Sequence, residues 1–162
     1  MGKVILICGK ICSGKSYYIK TIKESLNAVV ISPDEATYEL INNEQGEFYD
    51  IFSKRLIKYL TKKTKEIAQA GANVIFERGL WTKKERQEVK EYFKQNNIEC
   101  EIHYIYVDNE TWNKNILERN KSIKEGTNKK DFYLDEGLKN KLESLWEEPR
   151  EFEYDVIYKV NR

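Results

Sequence analysis

The sequence predicts an α/β fold, in which a parallel β-sheet lies between layers of helices. Short apolar runs alternate along the 162 residues with longer segments of helical periodicity. Most apolar runs are continuous, as expected for strands that are covered on both faces. Because strands that alternate with helices form parallel sheets, this pattern predicts a parallel sheet with helices on both sides.

Each predicted element has its own local signal. The apolar runs that predict strands are residues 4–8, 28–31, 73–76, 102–107 and 156–158. The segments that predict helices are residues 16–26, 48–69, 82–96, 111–120 and 135–146. Gly71 follows the second helix at a position typical of a C-terminal cap. Thr82 and Glu85 form the sequence pattern of a capping box at the start of the third.

Composition and charge narrow the class of protein. The chain is 40% hydrophobic and 34% charged, with a net charge of +1, which indicates a globular protein and argues against a general polyanion binder. No apolar run reaches the length of a membrane span, and the first eight residues are interpreted as a strand and not as a signal peptide. Three cysteines without a disulfide-like spacing predict free thiols and a cytoplasmic location. No linker divides the chain, so one domain is predicted over residues 1–162.

Residues 9–16, GKICSGKS, match the phosphate-binding loop G-x-x-x-x-G-K-[ST] at every fixed position. Glycines allow the backbone N–H groups of such a loop to point at phosphate oxygens, and the helix that follows adds a partial positive charge. We expect Lys15 to reach the β- and γ-phosphates and the Ser16 hydroxyl to bind Mg²⁺. The predicted nucleotide-binding residues are Gly9, Ile11, Cys12, Ser13, Gly14, Lys15 and Ser16.

Two carboxylates follow predicted strands at the sheet edge where ligands of parallel sheets bind. Asp34 follows the second strand, where it is either the base that orients an attacking hydroxyl or a residue of an Asx turn or helix N-cap. Glu77 ends the third strand and is the candidate second Mg²⁺ ligand, the alternative being an ion pair with a base such as Arg78.

A lysine-rich segment predicts a lid over the bound triphosphate, at about residues 119–133. Arg119 is the only arginine between residues 111 and 141, and its guanidinium would stabilise charge on the transferring phosphoryl group. Residues 128–131, NKKD, also match the guanine-reading pattern N-K-x-D. Because polar residues precede them where that pattern needs an apolar strand, we interpret the match as accidental.

The chain resembles a family of small P-loop kinases that includes polynucleotide 5′-hydroxyl kinase, chloramphenicol phosphotransferase and zeta-toxin-type kinases. It is most similar to the AAA-type ATP-binding branch of predicted kinases. The phosphate-binding loop, the acidic turn at 32–35, the segment 73–86 and the segments 107–120 and 146–149 carry the resemblance. Glu77 stands where the family commonly has Asp, and the lid holds one arginine where related kinases often have two.

The resemblance implies a kinase-type P-loop NTPase fold with strand order 2-3-1-4-5 and a small helical lid. It assigns Asp34 as the base, places Lys15 and Arg119 in catalysis, and puts Trp81 and Arg86 on the acceptor side. Without the resemblance, Arg86 would be interpreted as a surface helix residue and Trp81 as a packing residue beside the Thr82 cap.

The sequence therefore predicts an ATP- and Mg²⁺-dependent transfer of the γ-phosphoryl group to a hydroxyl acceptor. The acceptor stays open among a small molecule, a nucleoside and a polynucleotide 5′-hydroxyl, and the net charge does not indicate nucleic acid. One alternative is an ATP-binding module or slow ATPase that regulates a partner. A GTP-binding switch is a second alternative.

Overall fold

The computed structural model describes residues 1–44 and 46–161, and its core is one five-stranded sheet. The strands are β1 (Val4–Cys8), β2 (Ala28–Ile31), β3 (Asn73–Gly79), β4 (Cys100–Tyr106) and β5 (Val156–Lys159). The helices are α1 (Lys15–Lys23), α2 (Pro33–Ile41), α3 (Tyr49–Gln69), α4 (Lys83–Gln95), α5 (Asn109–Lys124) and α6 (Glu136–Leu145). All strand pairs are parallel and the order is β2-β3-β1-β4-β5, which confirms the predicted fold class and strand order.

The central strand β1 is buried along its whole length, and its side chains alternate between two cores. Val4, Leu6 and Cys8 pack with residues of α3 and α4 on one face of the sheet. Ile5 and Ile7 pack with α1 on the other face. Burial on both faces explains why this strand is a continuous apolar run.

Beyond the carboxyl edge of the sheet, α5 and α6 form a third apolar cluster against the loop that follows β1. Its buried members are Val107, Trp112, Ile116 and Leu134. Ile11 and Cys12 of the loop pack against them. The helices that carry the predicted lid are therefore anchored on the phosphate-binding loop.

Local caps set several helix ends as the sequence predicts. The side chain of Thr82 accepts a hydrogen bond from the backbone N–H of Glu85, and Glu85 accepts one from the backbone of Thr82, so the capping box forms. Gly71 adopts a φ of 97° just after the end of α3, a conformation that glycine reaches without steric cost.

The structure differs from the predicted elements at three helices. The helix α1 ends at Lys23 and not at residue 26. Residues 32–35 begin the helix α2, with the Ser32 side chain as the N-terminal cap and Pro33 in the first turn. Pro33 fits there because the first turn of a helix does not use its backbone N–H. The helix α5 begins earlier and ends later than the predicted 111–120, because Asp108 caps its start and the helical pattern continues to Lys124.

The strand β3 extends past the predicted 73–76 and contains a bulge. Ile7 of β1 pairs with Glu77, whereas the next residue, Cys8, pairs with Gly79. Arg78 is therefore the extra residue, and bulges of this kind redirect side chains at the ends of strands.

In the part of the chain that the structure describes, no helix combines the length and the apolar character that a membrane crossing needs. Cys8, Cys12 and Cys100 are free thiols.

Candidate nucleotide-binding site

The loop between β1 and α1 has a backbone that two glycines make feasible. Gly14 caps α1 with a φ of 96°, which a residue with a side chain adopts only with strain. A Cβ atom on Gly9 would lie 2.7 Å from the Ser13 hydroxyl oxygen. That hydroxyl is buried and has no hydrogen-bond partner among the described residues. The loop thus surrounds a small polar cradle that suits phosphate oxygens.

Lys15 closes this cradle from the first turn of α1. Its Nζ atom donates hydrogen bonds to the backbone oxygens of Gly9 at 3.0 Å and of Lys10 at 2.9 Å. Burial lowers the pKa of Lys15, and the negative charges of Glu77 and Asp34 act in the opposite direction. The ammonium group is therefore bound to the loop carbonyls, and the charges of two carboxylates act on it.

Glu77, in the strand β3, and Asp34, in the helix α2, both act on Lys15. Burial raises the pKa of Glu77, the charge of Lys15 lowers it, and the charge of Asp34 raises it again. The nearby Ser32 side chain also lowers the pKa of Glu77. Asp34 lies in the first turn of α2 and is exposed to solvent. The structure therefore brings Lys15, Asp34 and Glu77 together.

The donors at this site suit a hard divalent cation. Ser16 is exposed at the start of α1, and Glu77 supplies a half-buried carboxylate. Hydroxyl and carboxylate oxygens are ligands that Mg²⁺ prefers, and its remaining positions are normally filled by water and substrate phosphates. No group of three or more His, Cys, Asp or Glu side chains within residues 1–44 and 46–161 could hold a metal ion alone.

The helix α5 braces the loop from the other side. Trp112 Nε1 donates to the backbone oxygen of Ile11 at 2.7 Å, and Asn115 Nδ2 donates to that of Cys12 at 2.9 Å. One turn further along α5, Arg119 Nη1 contacts the Cys12 sulfur at 3.5 Å. The arginine of the predicted lid therefore lies against the phosphate-binding loop.

Two residues of the following segment hold Arg119 in this position. Asp131 lies 3.4 Å from its Nη2 atom, and the Phe132 ring lies 5.0 Å from its guanidinium carbon. The Nε atom of Arg119 is buried and has no partner among the described residues. The arginine thus keeps a donor that a bound anion could take.

The N-K-x-D match forms a local turn. The Asn128 Oδ1 atom accepts from the backbone N–H groups of Lys130 and Asp131, and its Nδ2 donates to Asp131 at 2.9 Å. The backbone oxygen of Lys130 accepts from Asn43 at the end of α2. This hydrogen bond joins the segment 128–131 to the residues just after α2.

Arg86 and Trp81 lie in a cluster with the segment 146–153. Arg86 is only 2% exposed, and its Nε donates to Glu153 at 3.0 Å. Its two Nη atoms donate to the backbone oxygens of Leu80 and Glu147. The guanidinium is thus directed at the protein, and the surface position suggested by its helix alone is wrong.

Trp81 packs edge-on against Trp146, with ring centroids 5.5 Å apart. Its indole also lies close to the bulge of β3, because a Cβ atom on Gly79 would be 3.0 Å from the Trp81 nitrogen. The two motifs at 79–86 and 146–149 therefore meet in space, and a role of half-buried Trp81 toward an acceptor stays a prediction.

Sequence reasoning missed the contacts of Trp112 and Asn115 with the loop. Their spacing of three residues places both on one face of α5, but nothing local shows that this face meets the loop. It also gave Arg78 no role beyond a partner for Glu77. In the structure, Arg78 Nη1 instead lies 3.4 Å from the Thr61 hydroxyl of α3.

Comparison with known families gives one match, to the AAA domain family, whose sequence model covers residues 4–140. No curated protein sequence matches the chain significantly.

Solved structures with the same fold include two kinases. The APS kinase CysC of Mycobacterium tuberculosis, in complex with AMPPNP and APS, is 14% identical, with a TM-score of 0.70, and the match covers 99% of this chain and 90% of that one. A gluconokinase from Sinorhizobium meliloti 1021 is 12% identical, with a TM-score of 0.66, over 99% of this chain and 83% of that one. At these identities, the likeness establishes the P-loop kinase fold.

Proposed function

Since the chain belongs to the AAA domain family and has the P-loop kinase fold, we propose that it transfers the γ-phosphoryl group of ATP to a hydroxyl acceptor. The reaction would use Mg²⁺, and the nucleotide would lie on the loop 9–16. The similar APS kinase binds AMPPNP, which supports ATP as the nucleotide here.

One observation carries this proposal. Lys15, Asp34 and Glu77 come from three different elements and act on one another electrostatically at the end of the phosphate-binding loop. A loop that only binds nucleotide needs the lysine and a metal ligand. A second, solvent-exposed carboxylate beside them is what a kinase needs to receive the proton of its acceptor.

The chemical step then follows from these positions. The acceptor hydroxyl oxygen forms a bond to the γ-phosphorus while the bond between that phosphorus and the β,γ-bridging oxygen breaks. The hydroxyl proton goes to the Asp34 carboxylate, and the departing ADP keeps the bridging oxygen. Lys15 would move its hydrogen bonds from the loop carbonyls to phosphate oxygens, which stabilises the charge on the transferring group.

Ser16 and Glu77 would hold Mg²⁺, which neutralises phosphate charge when it is bound. Arg119 would contribute its guanidinium to the same charge from the side of Cys12. We give Arg86 no acceptor role, because Glu153 and two backbone oxygens occupy its guanidinium.

A second candidate is an ATP-binding module with slow hydrolysis that regulates a partner. The ion pair of Arg119 with Asp131 favours it, because an arginine that stays bound to a carboxylate stabilises transferred charge less well. In such a module, phosphate release would not depend on any acceptor.

The test is transfer of label from γ-labelled ATP, with and without a pool of nucleosides, 5′-hydroxyl oligonucleotides and small alcohols. We expect label on one member of the pool, and we expect Asp34→Asn to reduce this transfer by about 10²- to 10⁴-fold while ATP binding is unchanged. Glu35→Gln, on the next exposed residue of α2, is the matched control. Normal transfer by Asp34→Asn would refute the assignment of the base, and release of phosphate without an acceptor would favour the module.

A further inference from the structure

A groove of about 700 Å³ lies between α3 and α4, on the face of the sheet opposite α1. We call it the α3–α4 groove. Its cationic lining residues are Lys54, Arg55, Lys58, Lys62, Lys65 and Arg78. Arg78, which follows Glu77 near the carboxyl end of β3, is one of these lining residues.

The groove is lined by six cations and only two carboxylates. None of the ion pairs formed within residues 1–44 and 46–161 includes any of the six cations. The groove contains two carboxylates, Glu85 and Glu88, whose charges act on Arg78 and offset part of the positive charge. A net positive field therefore remains, although the whole chain carries a charge of only +1.

Arg78 is the most constrained cation of the groove. It occupies the bulge of β3, and burial lowers its pKa. Its Nη1 atom contacts the Thr61 hydroxyl at 3.4 Å, but its buried Nε has no partner among the described residues. A buried donor without a partner is destabilising, and an anion bound in the groove would give it one.

The arrangement of the other cations indicates a linear ligand. Lys54, Lys58, Lys62 and Lys65 follow one stripe of α3 that is about 16 Å long, at about 1.5 Å of rise per residue. Tyr59, which is 56% exposed, lies in the same groove. An extended chain of phosphates matches the stripe, and an exposed aromatic ring offers a surface on which a base can stack. An acidic peptide would use the charges but not the ring, and a flat lipid surface does not fit a concave groove.

We propose that the α3–α4 groove binds the phosphate backbone of single-stranded nucleic acid, with Arg78 as its buried anchor and Tyr59 as a stacking surface. This proposal goes beyond phosphoryl transfer and does not depend on it, because it concerns equilibrium binding on a different face of the molecule from α1.

The test is fluorescence anisotropy of a short labelled oligouridylate, measured without ATP over a series of KCl concentrations. If about four phosphates are neutralised, log K against log[salt] has a slope of about −3, at roughly 0.7 per phosphate. The double variant Lys58→Gln/Lys62→Gln should make the slope less negative by about 1.4 and weaken binding by roughly tenfold or more at moderate salt. Tyr59→Ala should weaken binding by about tenfold and leave the slope unchanged.

The control is Lys20→Gln/Lys23→Gln, which removes the same charge from α1 on the other face of the sheet. It should bind the oligonucleotide like the unaltered protein, and both double variants should keep their thermal shift with ATP. Failure of the unaltered protein to bind, or an equal loss in the two double variants, would overturn the proposal. Groove-dependent binding of polyglutamate or of phosphatidylserine vesicles in place of the oligonucleotide would overturn it as well.

Discussion

Glu77 lies where burial and a cation act on its ionisation in opposite directions. Burial raises the pKa of its carboxyl group, and Lys15 offsets only part of that effect. A group whose charged form is disfavoured in the folded protein reduces stability wherever it is ionised. A carboxylate kept at this cost is typical of a functional position.

We therefore expect Glu77→Gln to stabilise the protein in the absence of nucleotide and metal. Because the folded-state pKa of Glu77 is raised, the unaltered protein loses stability as the pH rises from 4.5, the ordinary glutamate value, through the folded-state value. The variant should lack this loss, so the difference in urea midpoint should grow from acid to neutral pH. Its Mg²⁺-dependent transfer should fall by about a hundredfold or more. A variant less stable than the unaltered protein at neutral pH would contradict this account.

Substitution of Arg86 distinguishes a role in stability from a role in binding the acceptor. Its pair with Glu153 is almost completely buried, with side-chain exposures of 2% and 5%. Arg86→Met should cost about 3–5 kcal/mol, because it leaves the Glu153 carboxylate without its partner. The double variant Arg86→Met/Glu153→Gln should recover part of this loss in urea unfolding. An Arg86→Met protein of normal stability with a raised KM for the acceptor would instead support the substrate role that the resemblance implies.

At the scale of elements, α5 connects the nucleotide site to the segment beyond it. Its Trp112 and Asn115 donate hydrogen bonds to the phosphate-binding loop, while Asn120, one residue after Arg119, binds the segment that follows α5. Asn120 Oδ1 accepts from the backbone N–H of Leu134 at 2.8 Å, and its Nδ2 donates to the Leu134 oxygen at 2.7 Å. The segment 125–134 is thereby closed onto the helix that carries Arg119.

Removal of the two hydrogen bonds between Asn120 and Leu134 should destabilise the predicted lid more than the sheet. Asn120→Ala leaves two buried backbone groups of Leu134 unpaired, at a cost of about 1–3 kcal/mol. We expect amide hydrogen exchange over residues 125–134 to become roughly ten- to hundredfold faster, with little change in β1 and β3. Asn113→Ala, on the exposed side of the same helix, is the control. Equal protection of these amides from exchange in both variants would show that the Asn120 hydrogen bonds do not hold the segment 125–134.

Local sequence patterns predict helices, strands and loops better than they predict which distant residues contact one another. The apolar run 4–8 and the loop 9–16 could be assigned from sequence, because their patterns depend on neighbouring residues. At the start of α2 the sequence is ambiguous, because Ser32, Pro33 and Asp34 are equally typical of turns and of helix starts. The local sequence of α4 predicts a surface position for Arg86. That prediction fails because the carboxylate partner of Arg86 lies 67 residues further along the chain.

At the scale of the whole molecule, the sheet brings distant acidic and basic residues to one edge. Asp34 follows β2, Glu77 lies two residues before the end of β3, and Lys15 follows β1, and these three strands are adjacent in the order β2-β3-β1. The motif residues could be predicted, since parallel strands end at a common edge. The electrostatic balance among them could not, because it depends on how deeply each side chain is buried.

The same architecture predicts which nucleotide stabilises the fold. The amide of Asn128, which would have to read guanine in a GTP-binding switch, is bound within its own turn to Asp131. We therefore expect ATP with Mg²⁺, at about a hundred times its Kd, to add about 2.7 kcal/mol of stability. For a domain of this size, that corresponds to a rise in Tm of about 5–10 °C.

Thermal unfolding with equal concentrations of ATP and GTP compares how strongly each nucleotide stabilises the protein. GTP should shift the Tm no more than ATP does, and Lys15→Ala should lose most of both shifts, because each nucleotide depends on the same phosphate cradle. Asn128→Ala should leave the ATP shift intact, since the hydrogen bonds that its side chain makes with described residues all lie within its own turn. A markedly larger shift with GTP, abolished by Asn128→Ala, would replace the kinase proposal with a guanine-nucleotide switch.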